Sequence, residues 1–468
     1  MQQWYANIFG NTLANQITAI MDEYYRLATI RKPEFMGWNQ IEPNTPVHNS
    51  AFDPFQHGDE IYKRIKAYRR LIQQVEQIKA FIPERLYDAY VELVSYPVQA
   101  SAYMNEKMLY AQKSRLFAAY HLPVALKYAS LSRQAYDSII SLTTQYNHLA
   151  HGKWMNMMDM KPRNLPVFQQ ADLPEQVDSF QKGILVWLEG QNAPMTNHAH
   201  DTLPCFSGLP HESHFIELFN QDTTPAYWHA SANVKWIQLN QTSGFLNEEE
   251  RITVQIVRNY LPSDSATGSI TIQSGDSSYI IDIKATTIAD SVIPASILIE
   301  KNTCVAIQGY QYTSKHETSN GARWTSIPLS GYSDSACMLL PASAYPINQN
   351  DTSYLSYQFY TQSTGPARIT IFTLPTHAVQ PNTSLRIAVM LDHGDKHVLS
   401  YEAPAEIAVW RENVLSNHAR CMFSTHFSRP GWHELKIAPL DPGVIIDQIL
   451  VSFQPAIPVY AIQSKLTK

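Results

Sequence analysis

The chain has 468 residues, 35 Lys and Arg against 41 Asp and Glu, a formal net charge of -6 and four cysteines. Such a length accommodates roughly three domains of about 150 residues, each able to bury a core without disulfide or metal staples. The acidic balance, with no basic run longer than Arg31-Lys32 or Arg69-Arg70, excludes the electrostatic footprint of a nucleic-acid binder, and no apolar stretch reaches the ~20 residues of a membrane-spanning helix.

Residues 1 to about 152 are written in helical period. Trp4 to Phe9 reads as a short leading turn, followed by a helix over about 12–30 that Pro33 stops. From Asp59 onward Ile61, Ile65, Tyr68, Ile72, Val75, Ile78 and Ile82 recur at steps of four and three, which places them on one stripe of a helix. The next helix is expected over 83–120 with a kink at Pro97, because proline removes an intrahelical hydrogen bond. A further one from Pro123 carries Tyr128, Leu131, Ala135, Ile139, Leu142, Tyr146 and Leu149 on one face. The helices predict an antiparallel bundle of four or five members. Gly152, a Trp, four methionines and two prolines within residues 152–166 then read as a helix end and a non-helical connector.

From about residue 180 the period becomes two. Strands are expected at Ile184–Leu188, 214–219, 235–239, 252–257, 269–273 and 279–284, bounded by Gly, Asn, Asp or Ser. Their number and spacing predict a small immunoglobulin-like sandwich. After a linker at 286–294 come further strands at 354–360, 367–374, 385–391, 406–410, 433–437 and 445–453, read as a jelly-roll-like sandwich. The fold class is thus multidomain α and β, with a helical bundle at 1–165, the first sandwich and its leading linker at 166–290, and a C-terminal sandwich at 291–468.

The chemistry legible in the residues is sparse. There is no Gly-rich phosphate loop, no GxSxG and no HExxH, so no cofactor is expected. Cys205, Cys304, Cys337 and Cys421 lie far apart without a CxxC, which offers no zinc spacing; isolated buried thiols are the expectation, with one pairing in the C-terminal third left open. His198, His200, Asp201, His211, Glu212 and His214 form the densest polar cluster. Imidazoles and carboxylates can hold zinc, but this spacing fits no zinc pattern, and a solvated loop is the better reading; no metal is expected. The N-terminus lacks the basic and apolar regions of a secretory signal, and the chain starts almost inside an amphipathic helix, as though another segment preceded it.

Four stretches resemble glycoside hydrolase family 115, the xylan α-1,2-glucuronidases. They are Arg31-Lys32-Pro33-Glu34; the connector from Gly152-Lys153-Trp154 through Met157-Met158 to Leu165-Pro166-Val167-Phe168; Phe215-Ile216-Glu217-Leu218-Phe219-Asn220; and Gly431-Trp432-His433-Glu434-Leu435-Lys436-Ile437 with Asp441-Pro442-Gly443-Val444. The matches are collinear and correspond to the family's C-terminal half. Glycosidic hydrolysis needs two carboxyl groups flanking the bond. The family carries them in a barrel ahead of the bundle, and no strand-helix alternation here builds one. No catalytic residue is therefore carried over.

The resemblance implies an accessory C-terminal portion of an α-glucuronidase acting on glucuronoxylan side chains, a periplasmic or extracellular setting, and polysaccharide, a separate catalytic half or a second copy of the chain as partners. The alternative is a non-catalytic carbohydrate-binding or structural interaction protein. Trp154 can stack on a sugar ring while Lys161, Arg163 and Arg31 attract a glucuronate carboxylate, since a guanidinium binds carboxylate bidentately. Trp324, Trp410 and Trp432 are candidates for a sugar platform, with core packing the stronger expectation for Trp432 because it borders an alternating strand.

Overall fold

The computed structural model describes residues 1–37, 46–177, 182–207, 212–263, 265–286, 298–318, 321–328, 330–331, 335–340, 353–403 and 408–454. The chain divides into two compact units, Met1–Thr286 and Thr287–Lys468.

The first unit opens with helices α1 (Gln2–Phe9), α2 (Asn11–Ile30), α3 (Glu60–Lys79), α4 (Tyr87–Tyr90), α5 (Tyr96–Ala119) and α6 (Val124–Gly152). Gly10, at φ +85° with open space around it, makes the break between α1 and α2. Asp59 caps α3 by accepting from the Tyr62 amide at 2.8 Å, satisfying one of the free donors at a helix start. Most of the stripe read from the sequence packs inward, with Leu71 in the core where Ile72 was expected and Ile72 only partly buried: Tyr68, Leu71, Val75 and Ile78 of α3 meet Ile17, Ile20 and Met21 of α2 and Val98 and Ala102 of α5. Helix α5 is buried around most of its circumference, so its polar side chains need internal partners. Asn105 accepts from Arg64 at 2.6 Å and donates to Ser101 O, while Gln112 donates to the carbonyls of Ser50 and Phe52.

Two local expectations change. The helix expected over 83–120 begins with a 3₁₀ turn and α4, then passes through a π turn at Val91–Ser95 before α5. The widened turn stands just ahead of Pro97, where the missing N–H would otherwise interrupt the ladder. At the end of α6 the backbone leaves helical geometry before Gly152: Leu149 is extended and Ala150 and His151 sit at φ +49° and +57°, with the Ala150 amide donating to Asp88 at 3.1 Å.

The first sandwich comprises β1 (Ile184–Leu188), β2 (His200–Thr202), β3 (Ser213–Asn220), β4 (Ala226–Ala232), β5 (Ile237–Leu239), β6 (Ser243–Leu246), β7 (Glu249–Ile256), β8 (Ser265–Ser274) and β9 (Ser277–Thr286). Its sheets run β1-β3-β7-β5 and β2-β9-β8-β4-β6. Alternation along β3 explains why that strand is apolar on both faces. Ile216 and Leu218 enter the sandwich core with Val186, Trp228, Ile252 and Ile270. On the opposite face, Phe219 meets Phe55 and Phe117 from the helical half. Phe55 also lies flat on Trp187 of β1, centroids 3.9 Å apart.

Charged side chains are buried at this junction. Arg251 of β7 donates to Asp59 at 2.7 Å and to Glu217 of β3 at 2.6 Å, with its guanidinium 4.0 Å from the Phe215 ring centre. Burial raises the Glu217 carboxyl to about 7, and Arg251 only partly opposes it. Burial is the larger effect, and the neighbouring Glu249 carboxylate adds to it. Tyr128 of α6 donates to Glu249 at 2.7 Å, and Glu189 accepts from Gly58 N at 2.8 Å while pairing with His214.

The second unit is a sandwich of two sheets. Its elements are β10 (Cys304–Gln308), β11 (Ser314–His316), β12 (Arg323–Pro328), β13 (Ser335–Leu340), β14 (Tyr354–Thr361), β15 (Gly365–Thr373), β16 (Arg386–Leu391), β17 (His397–Ser400), α7 (Ala408–Leu415), β18 (Ala419–Phe427), β19 (Gly431–Pro439) and β20 (Ile445–Ser452). One sheet runs β12-β13-β20-β15-β18 with β10 also on β20, the other β11-β14-β19-β16-β17. Between them Val305, Leu355, Tyr357, Phe359, Ile369, Ile371, Leu435, Ile437 and Ile449 form a continuous core.

Of the strand expected over 406–410, residues 406 and 407 lie outside the described residues, and 408–410 are helical: they open the surface helix α7, in which no side chain is buried; three positions of period two do not separate strand from helix. The linker expected at 286–294 lies, past Thr286, outside the described residues. None of the four cysteines is joined in a disulfide, and no helix among the described residues is long and apolar enough to cross a membrane.

Candidate functional site

The connector and the end of α2 hold the residues singled out for sugar contact. Pro33–Phe35 and Pro166–Phe168 are single 3₁₀ turns that pack against each other, so two sequence stretches 130 residues apart meet in space. Beneath them Lys107 of α5 is fully buried. Its ammonium donates to Val167 O at 2.6 Å and Gln169 O at 2.9 Å and lies 5.8 Å from the Tyr136 ring centre. Burial without a carboxylate partner lowers its pKa to about 7. The cation straps the connector to the bundle through two carbonyls that would otherwise be buried unpaired.

Arg31 caps the turn after α2, its Nε donating to Phe35 O at 2.9 Å. Its own carbonyl accepts from buried Arg64 at 2.7 Å, which also reaches Leu27 O; a cation at these carbonyls suits the negative end of the α2 dipole. The Arg31 fork is thus engaged locally. On the connector, Trp154 is half-buried with the Lys153 ammonium 4.6 Å from its ring centre. Lys161 is exposed and lies 5.8 Å from the Tyr136 ring centre, so the two lysine ammoniums of α5 and the connector share that ring. Asn147 fixes the intervening chain by exchanging hydrogen bonds with the Met158 backbone, both at 3.0 Å. The Arg163 side chain lies outside the described residues.

The histidine-rich stretch does not converge. His198 and His200 are exposed, while His214 is buried with its Nδ1 3.1 Å from Glu189. Glu212 accepts from Ser207, and His211 lies outside the described residues. Among the described residues no three His, Cys, Asp or Glu side chains are grouped to hold a metal ion.

The tryptophans of the second unit reverse the order expected of them. Trp324 is buried, 5% exposed, and belongs to the core. Trp410 stacks on His377 at 3.9 Å. Trp432 is 40% exposed. The parity of β19 held this signal: His433, Leu435 and Ile437 point inward, so Trp432 faces out. The remaining family-like residues have structural tasks. Asn220 donates to the carbonyls of Thr224, Leu246 and Asn247, and Asp441 takes the Arg386 guanidinium bidentately at 2.7 and 2.9 Å.

Residues 298–461 match the glycosyl hydrolase family 115 C-terminal domain. The fold of the chain is shared with a family 115 4-O-methyl-α-glucuronidase described as having specificity for decorated arabinogalactans, at TM-score 0.56 and 24% identity over 97% of this chain and 41% of that one. The chain spans about two fifths of the length of that relative. Likeness to a family 35 carbohydrate-binding module from Clostridium thermocellum (TM-score 0.22, 10% identity, 32% of this chain and 98% of that one) and to a module of Cellvibrio mixtus lichenase 5A (0.21, 12%, 32% and 97%) is too slight to speak to fold or function. No curated protein matches the chain.

Proposed function

We propose that this chain is the accessory portion of a family 115 α-glucuronidase acting on the glucuronosyl side chains of glucuronoxylan, with the hydrolytic carboxyl groups on residues outside this sequence. The observation that carries the reading is the family 115 C-terminal domain at residues 298–461 joined to a fold that follows a family 115 enzyme over 97% of the chain. The acids at the bundle-sandwich junction support it from chemistry: Asp59 and Glu217 flank an arginine and are buried, closed to the bond that a glycosidase pair must straddle. Trp154 and Lys161, with Arg163 on the same connector, are assigned to contact with the substrate beside that missing site, while Arg31, engaged with Phe35 O, is not.

The test is release of 4-O-methylglucuronic acid from glucuronoxylan oligosaccharides and from decorated arabinogalactan. The chain alone is expected to match a buffer blank, and co-expression with a family 115 barrel segment to give release that Trp154→Ala lowers. Turnover by the chain alone, abolished by changing one of its own acids, overturns the proposal. The second reading, a non-catalytic carbohydrate-binding protein, is favoured by the exposed Trp432 ring.

A further inference from the structure

At one end of the second unit the turn after β16, the end of β18 and the start of β19 enclose a cavity of about 380 Å³. Asp392, Arg429, Trp432, His433 and Glu434 are among its lining residues. Asp392 occupies the left-handed region at φ +53°, a conformation that aspartate tolerates better than most side chains. Its amide donates to Glu434 O at 2.7 Å. Its carboxylate accepts from the Glu434 amide at 2.9 Å on one oxygen and from His433 Nδ1 at 2.9 Å on the other. His433 is buried, its ring held edge-on by Phe427 at 4.5 Å, and its Nε2 has no hydrogen-bond partner among the described residues. The Asp392 carboxylate is therefore fixed in direction while its side chain stays 46% exposed, leaving a free acceptor position on each oxygen.

Beside it, Trp432 stands 40% exposed, steadied by an edge contact with Tyr360 at 5.7 Å. Arg429, on the tight turn between β18 and β19, is exposed and has no ion-pair or hydrogen-bond partner among the described residues. Glu434 is occupied, accepting from Ser356 and facing Lys436 at 3.3 Å. A rigid aromatic face, an oriented two-oxygen acceptor and an unengaged guanidinium donor around a concave space are the groups that a pyranose needs: its C–H face packs on the ring, two neighbouring hydroxyls donate to one carboxylate, and a third oxygen accepts from the fork.

We propose that this cavity is a binding site for the neutral backbone of a polysaccharide. Glu434 is paired with Lys436 and Asp392 stands against the single guanidinium of Arg429, so the lining carries no surplus positive charge to hold an acidic sugar, and the carboxylate with open acceptor positions favours hydroxyl donors. The site goes beyond the hydrolytic reading, since holding a neutral backbone requires no chemistry on its acidic branches.

The experiment is calorimetric titration of the full chain with xylohexaose, with a β-1,3-linked galacto-oligosaccharide and with glucuronic acid, repeated on variants. Saturable binding of at least one neutral oligosaccharide is expected, with glucuronic acid bound more weakly; the two neutral probes report which backbone fits. Trp432→Ala and Asp392→Asn are each expected to weaken it about tenfold and Arg429→Ala about threefold, while Trp4→Ala, on α1, leaves it unchanged. Arg429 sits on an exposed turn, so its variant remains informative if Trp432→Ala disturbs folding. Absence of binding by every probe, affinities unchanged in all three site variants, or glucuronic acid bound more tightly than both neutral probes overturns the proposal. None of these outcomes bears on release of glucuronic acid, so the hydrolytic reading stands or falls separately.

Discussion

In the first unit the outer face of β3 presents Phe215, Glu217 and Phe219 to the helices, and the contact is completed by Arg251, Asp59 and the Phe55–Trp187 stack. In the second unit the two sheets face each other through Leu355, Phe359, Ile371, Ile437 and Ile449, and the Arg386–Asp441 pair keeps its arginine half exposed. The apolar interface is tolerant, because hydrophobic burial is non-directional. The charged junction is more exacting: a partly exposed arginine is held between two buried acids, and removing it leaves those acids without that partner. Joining a helical layer to a sandwich needs a fixed orientation, and the buried charges supply one.

The comparison breaks most sharply at Arg251. Arg251→Met strands Asp59 and Glu217 and is expected to cost about 3–5 kcal/mol. Hydrogen exchange should rise across β3, β7 and α3 and stay unchanged in β14 and β19. Ile449→Ala is the counterpart in the second unit, expected to cost about 2–5 kcal/mol through the cavity it leaves, with raised exchange in β15 and β20 and none in α3. Equal loosening of both units by either substitution would show that the contrast is false.

The pH response sharpens it further. Because the folded Glu217 carboxyl is raised from 4.5 to about 7, the folded state holds a proton that the unfolded chain has released over that window. Stability of the first unit therefore falls as pH rises from about 4.5 to about 7, by at most ~3 kcal/mol from this group. Glu217→Gln, which keeps an acceptor for Arg251, should flatten that slope in denaturant titrations; a slope unaltered by the substitution refutes the assignment. The smallest effect is expected at Asn220: replacing it with Ala unpairs the carbonyls of Thr224, Leu246 and Asn247 at about 1–3 kcal/mol, measurable as a lower thermal midpoint.

Legibility in the sequence followed the range of the forces. The stripe from Ile61 to Ile78 is a local period, and apart from Ile72, whose place Leu71 takes, it lies on the buried face of α3. The family resemblance rested on stretches such as Phe215–Asn220, whose two-faced burial makes nearly every position count. Strand β18 escaped notice because its inward residues include Ala419 and Cys421 while Met422 points outward, 41% exposed, which blurs the alternation. The Arg251–Asp59 pair joins residues 192 positions apart, and no local pattern announces it. Trp432 was legible by parity alone, and its neighbouring apolar run concealed it.

Lys107 turns the connector into something that can be timed. An amine with its pKa lowered to about 7 is a far better nucleophile at neutral pH than an ordinary surface lysine, yet here it is roofed by the backbone of Val167 and Gln169. An acylating reagent reaches it only when that roof lifts. Slow labelling of this one side chain, followed by peptide mass spectrometry, would therefore count openings of residues 153–169 directly, and a ligand that settles on the connector would register as silence at Lys107.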